Sequence, residues 1–394
     1  MNSLGIRASS SLKYIPGLDG IRAIAVIAVM LRHYTSPFTP VLNDAGWGWK
    51  AYATIANLGW VGVDIFFVLS GYLIAKMLLN NPINAWNAYS KFVNRRIWRL
   101  IPAYVACLLV FSLIALLFVP NSKVLNNSLS LWTMTSNIQS AFVHRTALMD
   151  GHFNLVHFWS LAVEWHFYLL LPVLVWIFRS VTLTAIVLIG VAMMTRYLFH
   201  QLHLSDNAIY SFTLCRIDAL AMGCLLAVVA PKINHKYANL SLIAGALLFI
   251  SIMYVISQSA IPYKKLAWMQ LFGYSLIALS VAMMMVGIIK ADAKSLIISA
   301  LERPFMLTIG RASYSLYIWH LVFFPFIANM ALDMYGTNLT AFSAAFVMAS
   351  LLAMLATVFS YHYVESKCYL AQRQSEQTTQ RIAQGAHVNK ESIL

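Results

Sequence analysis

Charged residues are scarce in this sequence. Only 10% of its 394 residues are Asp, Glu, Lys or Arg, whereas 60% are hydrophobic, and the mean hydropathy is +0.72. A soluble domain of this length needs a far more charged surface. The scarcity of charge therefore excludes an ordinary soluble protein and indicates an integral membrane protein.

Cysteine patterns and the familiar motifs of soluble enzymes are also missing. The four cysteines, Cys107, Cys215, Cys224 and Cys368, follow no spacing that suggests a metal site or a disulfide framework. The sequence contains no GxSxG, no P-loop and no HExxH. We therefore expect no metal site and no appended soluble catalytic domain.

The apolar residues occur in long continuous blocks. Each block is near the roughly 20 residues that cross a bilayer as a helix. Continuous blocks also argue against the alternating pattern of a β-barrel. The sequence predicts an all-α fold, a polytopic transmembrane helical bundle, with ten spans at residues 18–35, 55–79, 97–119, 158–178, 181–200, 210–230, 238–257, 268–289, 308–330 and 340–363.

Lys and Arg are concentrated on one side of the predicted bundle, in segments such as "SKFVNRRIWR". Because cytoplasmic loops are enriched in these residues, the asymmetry places both termini in the cytoplasm. The same rule explains the net charge of +14 without a nucleic-acid partner. The long loop of about residues 120–157 then faces outward. The polar residues 371–394 form a tail that we expect to be poorly ordered.

The first predicted span, within "LDGIRAIAVIAVMLRHY", carries Arg22 and His33. On a helix their separation of eleven residues corresponds to roughly 16–17 Å of rise and three full turns plus about 20°, so both face the same way. Arg22 lies near the cytoplasmic end and His33 near the outer end. From these two residues alone, an interface arginine and a satisfied helix-end histidine remain an alternative to a functional pair.

Other ionisable residues lie within or beside predicted spans, where they are costly and are therefore candidates for function. Glu164 lies near the outer end of the fourth span, at a depth similar to that of His33. A carboxylate there needs a cation, a hydrogen-bond donor or a raised pKa. Arg95, Arg96 and Arg99 begin the third span. They suit a bound phosphate but equally suit the ordinary distribution of cytoplasmic arginine.

Further polar residues lie deeper in the predicted bundle. Arg216 and Asp218 are two positions apart, so on a helix each must find its partner on another helix. His320 lies in the middle of the ninth span, and Ser70 precedes Gly71 in the second. A small residue such as Gly71 permits close approach of two helices. The supporting polar residues of the predicted site are Asp19, Ser70, Arg216, Asp218 and His320.

Seven segments of the sequence occur in an order that resembles the membrane acyltransferase-3 family, the bacterial integral-membrane O-acyltransferases of surface glycans. The resemblance covers about residues 14–370, and we expect the transmembrane acyltransferase domain to occupy residues 1–370. The segments are "LDGIRAIAVIAVMLRH", "GWVGVDIFFVLSGYLI", "FVNRRIWRLIPAY", "HFWSLAVEWHFY", "RIDALAMGCLLA", "ASYSLYIWH" and "YHYVESKCY".

The resemblance implies an enzyme of the bacterial inner (cytoplasmic) membrane. Such an enzyme transfers an acyl group, usually acetyl, from cytoplasmic acyl-CoA to a hydroxyl of an acceptor. The acceptors are glycans and glycolipids such as lipopolysaccharide, exopolysaccharide and peptidoglycan. Acetyl-CoA is thus the expected donor. Some members carry an appended hydrolase-like domain, whereas this chain resembles the stand-alone type.

The motifs of the family map onto individual residues. Its Arg-x10-His motif matches Arg22 and His33, its Arg-x-x-Arg motif matches Arg96 and Arg99, and its Ser-Leu-x-x-Glu motif matches Ser160, Leu161 and Glu164. One departure is Arg32, which stands before His33 where members usually have a neutral residue. A second departure is the absence of a proline after Glu365. We therefore interpret Glu365 as a structural residue.

These residues suggest a mechanism. Arg95, Arg96 and Arg99 would hold the CoA phosphates. His33 would act as general base on the acceptor hydroxyl, or would carry the acyl group transiently. Glu164 would orient the imidazole of His33. Arg22 would contact a phosphate or polarise the thioester, and the residues leave both possibilities open.

Two other functions fit part of the pattern. A proton-coupled secondary transporter also needs buried Arg, Asp, Glu and His, but the sequence shows no internal repeat and no matched pair of broken helices. A scaffold subunit of a glycan pathway could keep the fold without catalysis. The presence of Arg22, His33, Arg96 and Arg99 argues against such a scaffold.

Overall fold

The structure is a computed structural model that describes residues 14–81, 86–368 and 370. It is 84% helical, and the described residues form no strand beyond one isolated bridge between Met149 and Asn154. The predicted all-α class is therefore confirmed. The predicted tail of residues 371–394 lies outside the described residues.

The α-helices range from single turns to a helix of 33 residues. In chain order they are α1 Leu18–Thr35, α2 Thr39–Asp44, α3 Trp47–Asn57, α4 Gly62–Asn80, α5 Trp86–Phe118, α6 Lys123–Asn126, α7 Leu129–Trp132, α8 Ser136–Ile138, α9 Phe158–Phe178, α10 Val181–Gln201, α11 Asp206–Ser211, α12 Thr213–Val229, α13 Ala238–Ser257, α14 Tyr274–Lys290, α15 Leu296–Leu301, α16 Pro304–Arg311, α17 Ser313–Trp319, α18 Phe324–Tyr335 and α19 Leu339–Phe359.

Within the described part of the chain, eight helices are long and apolar enough to cross a membrane, or nine when the bent pair α17 and α18 counts as one span. α1 has 18 residues but contains three charged ones, Asp19, Arg22 and Arg32. Because of these three charged residues, α1 is not one of the eight helices. A multi-pass membrane protein follows from these helices, and the exact count of ten and the cytoplasmic side of the termini stay predictions.

The ninth predicted span is not one continuous helix. α17 ends at Trp319, α18 begins at Phe324, and their axes differ by 57°. Pro325 in the first turn of α18 lacks an N–H group and would clash in a continuous helix, which favours a break before it. His320, expected in the middle of a span, therefore lies at the break between two helices.

α12 lies at the centre of the bundle and packs against α4, α10 and α14. The contact with α4 is close because a Cβ atom on Gly71 would collide with the backbone carbonyl of Leu220. Gly223 on α12 meets the carbonyl of Val68 in the same way. The prediction that Gly71 permits close helix approach is confirmed.

The segment between α5 and α9 folds back onto the helices. Its Leu131 carbonyl accepts a hydrogen bond of 2.7 Å from the Tyr104 hydroxyl, and Asn137 donates one of 2.8 Å to the Thr213 hydroxyl. Near its end, the Asp150 carboxylate accepts hydrogen bonds from the Ser122 hydroxyl at 2.6 Å and the backbone N–H of Phe153 at 2.8 Å. Burial raises the pKa of Asp150, but these hydrogen bonds outweigh burial and hold it below its usual value.

Candidate active site

A cavity rich in arginine lies near the N-terminal end of α1. We call it the arginine cavity, and α1, α4, α5, α9 and α16–α17 contribute to its wall. The residues that line it are Arg22, Val63, Phe66, Phe67, Ser70, Leu73, Ile74, Arg96, Arg99, Leu100, Ser160, Leu161, Glu164, Tyr168, Gly310, Arg311, Ser313, Tyr314, Tyr317 and Glu365. Four guanidinium groups thus face two carboxyl groups around one cavity, a balance that favours an anionic ligand.

The cations of the arginine cavity are held in different ways. Arg22 donates a hydrogen bond of 3.2 Å to Asp19, and Asp19 also lies 3.7 Å from Arg311. The Arg96 side chain is 7% exposed and lies over the ring of Tyr168, 5.6 Å from its centroid. Arg95, which we grouped with Arg96 as a phosphate ligand, does not line the cavity.

Glu164 lies in the arginine cavity, one turn before Tyr168 on α9, and its carboxylate accepts a hydrogen bond from the Tyr168 hydroxyl. Ser70, a predicted supporting residue, lines the same wall. Glu365, which we interpreted as structural, also lines the cavity and accepts a hydrogen bond of 2.9 Å from the Ser315 hydroxyl. Glu164 and Glu365 thus line the same cavity as the four arginines.

A second cavity lies near the C-terminal end of α1. We call it the histidine cavity, and its volume is about 140 Å³. The residues that line it are Val29, His33, Trp60, Val63, Thr146, Met149, Asn154, Val156, His157, Trp159, Tyr210, Tyr317 and Leu321. His33 and Glu164 therefore line different cavities, although the sequence places them at similar depth.

The hydrogen-bond partner of His33 Nδ1 is Nε2 of His320, at 2.8 Å. The other nitrogen of His320, Nδ1, lies 2.7 Å from the backbone carbonyl of Tyr317. A carbonyl oxygen only accepts, so Nδ1 of His320 carries the hydrogen, and Nε2 of the neutral ring is an acceptor. His33 then donates from Nδ1 and keeps a lone pair on Nε2. This tautomer has the basic nitrogen that proton abstraction needs.

The two cavities meet at Val63 and Tyr317, which line both. The Tyr317 hydroxyl is hydrogen-bonded to the Ser160 hydroxyl at 2.6 Å and donates to the His157 carbonyl at 3.2 Å. Ser160 belongs to the Ser-Leu-x-x-Glu motif of α9. The motif therefore holds a side chain that lines both the arginine cavity and the histidine cavity.

Arg216 and Asp218 each pair with another helix, as their spacing predicts. Arg216 lies 2.5 Å from Asp64 on α4, and Asp218 lies 2.8 Å from Arg196 on α10. All four side chains are at most 1% exposed. Neither pair lines either cavity, so both pairs lie in the core between the helices.

Sequence reasoning missed several residues of the site. Arg311, Tyr168 and Tyr317 line the arginine cavity, and His157 lies at the start of α9 beside His320, with ring centroids 4.9 Å apart. His157 was assigned to the outward loop because it precedes the apolar block. Outside the site, sequence reasoning also missed Arg196, although Asp218 required a cation on another span.

No group of three His, Cys, Asp or Glu side chains among the described residues is arranged to hold a metal ion. The charged groups instead suit an anionic organic ligand in the arginine cavity, and the His33–His320 pair suits proton transfer. The described helices thus define a multi-pass membrane protein, and its two cavities form the candidate site.

Comparison with known proteins assigns the chain to a family. Residues 15–361 match the sequence profile of a family described as an acyltransferase domain, Acyl_transf_3, and the chain belongs to this family. It is 26% identical over 381 residues to the O-acetyltransferase OatA of Staphylococcus aureus strain NCTC 8325, and equally to OatA of strain Mu50. These alignments cover 90% of this chain and 57% of each relative, so the chain spans little more than half of their length. No solved structure matches the chain significantly.

Proposed function

We propose that the protein transfers an acyl group, with acetyl as the default, from cytoplasmic acyl-CoA to a hydroxyl of an exported glycan or glycolipid. One observation carries this proposal. α1 bears Arg22 in the arginine cavity and His33 in the histidine cavity, and the two cavities meet at Val63 and Tyr317. The name O-acetyltransferase of the OatA relatives supports the acetyl group.

The arginine cavity is the donor side. Guanidinium groups bind phosphate oxygens through paired, charge-assisted hydrogen bonds, so Arg96 and Arg99 hold the CoA phosphates. The apolar wall at Phe66 accommodates the pantetheine arm, which extends toward Tyr317. Arg22, which Asp19 holds in place, contacts a phosphate or polarises the thioester carbonyl.

The chemistry occurs at His33. Its Nε2 takes the proton of the acceptor hydroxyl while the hydroxyl oxygen attacks the thioester carbonyl carbon. The C–S bond then breaks, and the CoA thiolate leaves and receives the proton from the imidazolium. In the covalent variant, Nε2 itself attacks the thioester carbonyl carbon, the C–S bond breaks and CoA leaves as thiolate. The acceptor hydroxyl then attacks the acyl group, the bond from Nε2 to the acyl carbon breaks, and the hydroxyl proton neutralises the CoA thiolate.

His320 takes the orienting role that the sequence suggested for Glu164, because His320 is the hydrogen-bond partner of His33 Nδ1. Fixing the tautomer keeps the lone pair on Nε2. Glu164 instead sets the charge of the arginine cavity together with Tyr168. We propose it as a residue of the donor side.

The test uses the purified protein in lipid nanodiscs, deuterated acetyl-CoA and the surface-glycan fraction of cells that lack the protein. Mass spectrometry of the glycan should show a deuterated acetyl ester with wild-type protein. His33→Ala should be slower by at least about 100-fold, because general-base catalysis contributes roughly 10²–10⁴. Arg32→Gln is the matched control, since the Arg32 side chain donates to Asn57 at 2.9 Å and lines neither cavity.

Full transfer by His33→Ala would refute the assignment of His33 as the base. The absence of any labelled glycan with wild-type protein would refute the proposed reaction. The two routes through His33 are separated by leaving the acceptor out. The covalent route then leaves deuterated acetyl on His33 of the acid-quenched protein, whereas the general-base route leaves none.

A further inference from the structure

Two buried polar atoms of the histidine cavity have no hydrogen-bond partner within the described part of the chain, the indole Nε1 of Trp60 and Nδ1 of His157. Both residues line the cavity, and they are 5% and 2% exposed. An unsatisfied buried polar group is costly, and most such groups in folded proteins are paired. Because both residues line the cavity, a ligand bound there would supply the missing partners.

The two atoms have opposite hydrogen-bonding character. The indole N–H of Trp60 can only donate. His157 Nε2 lies 3.1 Å from the carbonyl of Ile318, so Nε2 carries the hydrogen and Nδ1 has the lone pair of an acceptor. Two residues of the cavity wall thus carry one donor and one acceptor without a partner among the described residues. A hydroxyl group, or two neighbouring hydroxyls, satisfies both.

The remaining wall suits the same kind of ligand. Trp159, Tyr210 and Tyr317 give the cavity aromatic surfaces, and binding sites for organic ligands combine such surfaces with a few placed polar groups. The cavity volume of about 140 Å³ far exceeds the roughly 10–15 Å³ that one water molecule needs. A sugar ring, with apolar C–H faces and hydroxyls at its edge, has this chemistry.

We propose that Trp60 and His157 form the acceptor subsite, where they bind hydroxyls of a sugar ring next to the hydroxyl that His33 deprotonates. The inference rests on the proposed function and deepens it. Trp60 and His157 select which hydroxyl of the sugar reaches His33, because they fix the ring at two points of the same cavity.

The test compares three variants of the full chain in nanodiscs. Trp60→Phe keeps an aromatic ring and removes the N–H, and His157→Gln keeps a donor for the Ile318 carbonyl and removes the ring nitrogen Nδ1. Trp319→Phe is the matched control. The Nε1 atom of Trp319 is also buried without a partner in the described residues, but Trp319 lines neither cavity.

The probe is the surface-glycan fraction of cells that lack the protein, with deuterated acetyl-CoA as donor. Trp60→Phe and His157→Gln should each raise the KM for glycan about 5- to 30-fold, as expected for the loss of one buried hydrogen bond. The KM for acetyl-CoA should not change. Trp319→Phe should match wild type in both KM values.

A second measurement separates this inference from the proposed reaction. Binding of the glycan fraction to immobilised nanodiscs is measured without acetyl-CoA. If wild-type protein binds the glycan, Trp60→Phe binds it more weakly, and no variant transfers acetyl, the reaction is refuted and the subsite is supported. Normal transfer with an unchanged glycan KM in both Trp60→Phe and His157→Gln would overturn the subsite and keep the reaction. A KM change of equal size in Trp319→Phe would also overturn it.

Discussion

Arg196 and Arg216 lie in the helix core, whereas Arg22 and Arg96 lie beside a cavity. Each core arginine is fully buried and lies within 2.8 Å of a carboxylate on a neighbouring helix. Arg22 keeps 20% of its side chain exposed, and Arg96 lies among three further arginines. The core arginines are thus neutralised by carboxylates within the packed helices, whereas the arginines beside the cavity lie where a ligand can reach them.

The largest effect is expected where a core pair is broken. Asp64→Asn leaves the buried Arg216 cation without its counter-charge, which should destabilise the fold by about 3–5 kcal/mol. Unfolding in SDS, followed by circular dichroism, measures this loss. Asp333→Asn on the exposed face of α18 is the control and should change stability by less than about 0.5 kcal/mol. Equal unfolding midpoints for the two variants would contradict the structural role of the pair.

Substitutions of arginines in the arginine cavity should weaken the binding of acetyl-CoA and leave the stability of the fold unchanged. Arg96→Gln combined with Arg99→Gln removes two phosphate ligands and should raise the KM for acetyl-CoA roughly 10- to 100-fold, since hydrogen bonds to charged groups contribute about 1.5–3 kcal/mol. The KM for glycan should stay near wild type. Arg95→Gln, just outside the cavity, should behave like wild type. If Arg95→Gln weakened acetyl-CoA binding as much as the double variant, the cavity would not be the donor site.

His320 should act on the rate through His33. His320→Asn keeps a donor for the Tyr317 carbonyl but loses the acceptor for His33, so kcat should fall roughly tenfold, the value of one hydrogen bond of about 1.4 kcal/mol. His320→Gln places an amide oxygen nearer the position of Nε2 and should retain more activity. The KM for acetyl-CoA should not change in either variant. Equal kcat values for the Asn and Gln variants would argue against a tautomer-fixing role.

The smallest effect concerns the loop beside the histidine cavity. The folded pKa of Asp150 lies below its unfolded value, so its carboxylate stabilises the loop above the unfolded pKa, and this contribution is lost as the pH falls through the folded pKa. Asp150→Asn should lower the free energy of loop opening at neutral pH by less than about 1 kcal/mol. Hydrogen exchange of the Phe153 amide measures this opening. Unchanged exchange at neutral pH would show that the carboxylate does not hold the loop.

Hydropathy was sufficient to predict the helical class and the position of most spans. α13 has the predicted bounds of 238–257, and α9 those of 158–178. The bend before Pro325 was missed because the apolar block continues through it, and hydropathy does not report backbone breaks. The signal for a break was the proline itself.

The site was predicted only in part. Motif spacing places Arg22 and His33 on one helix, and the structure assigns them to two cavities that share Tyr317. The pairing of His33 with His320, 287 residues later, depends on which helices are neighbours, and the periodicity of a single helix contains no such information. Glu164 was expected to be the partner of His33 only because both lie at a similar depth in the membrane. Similar depth does not show that their helices are neighbours.

We propose that the donor binds at one end of α1 and the acceptor at the other, on opposite faces of the membrane. Sealed proteoliposomes with uniformly oriented protein test it most directly. Deuterated acetyl-CoA is supplied on one face and the glycan fraction on the other, in both arrangements and with both on the same face. Labelled glycan is expected only with acetyl-CoA on the face of the arginine cavity and glycan on the opposite face. Equal transfer with both substrates on one face would contradict it.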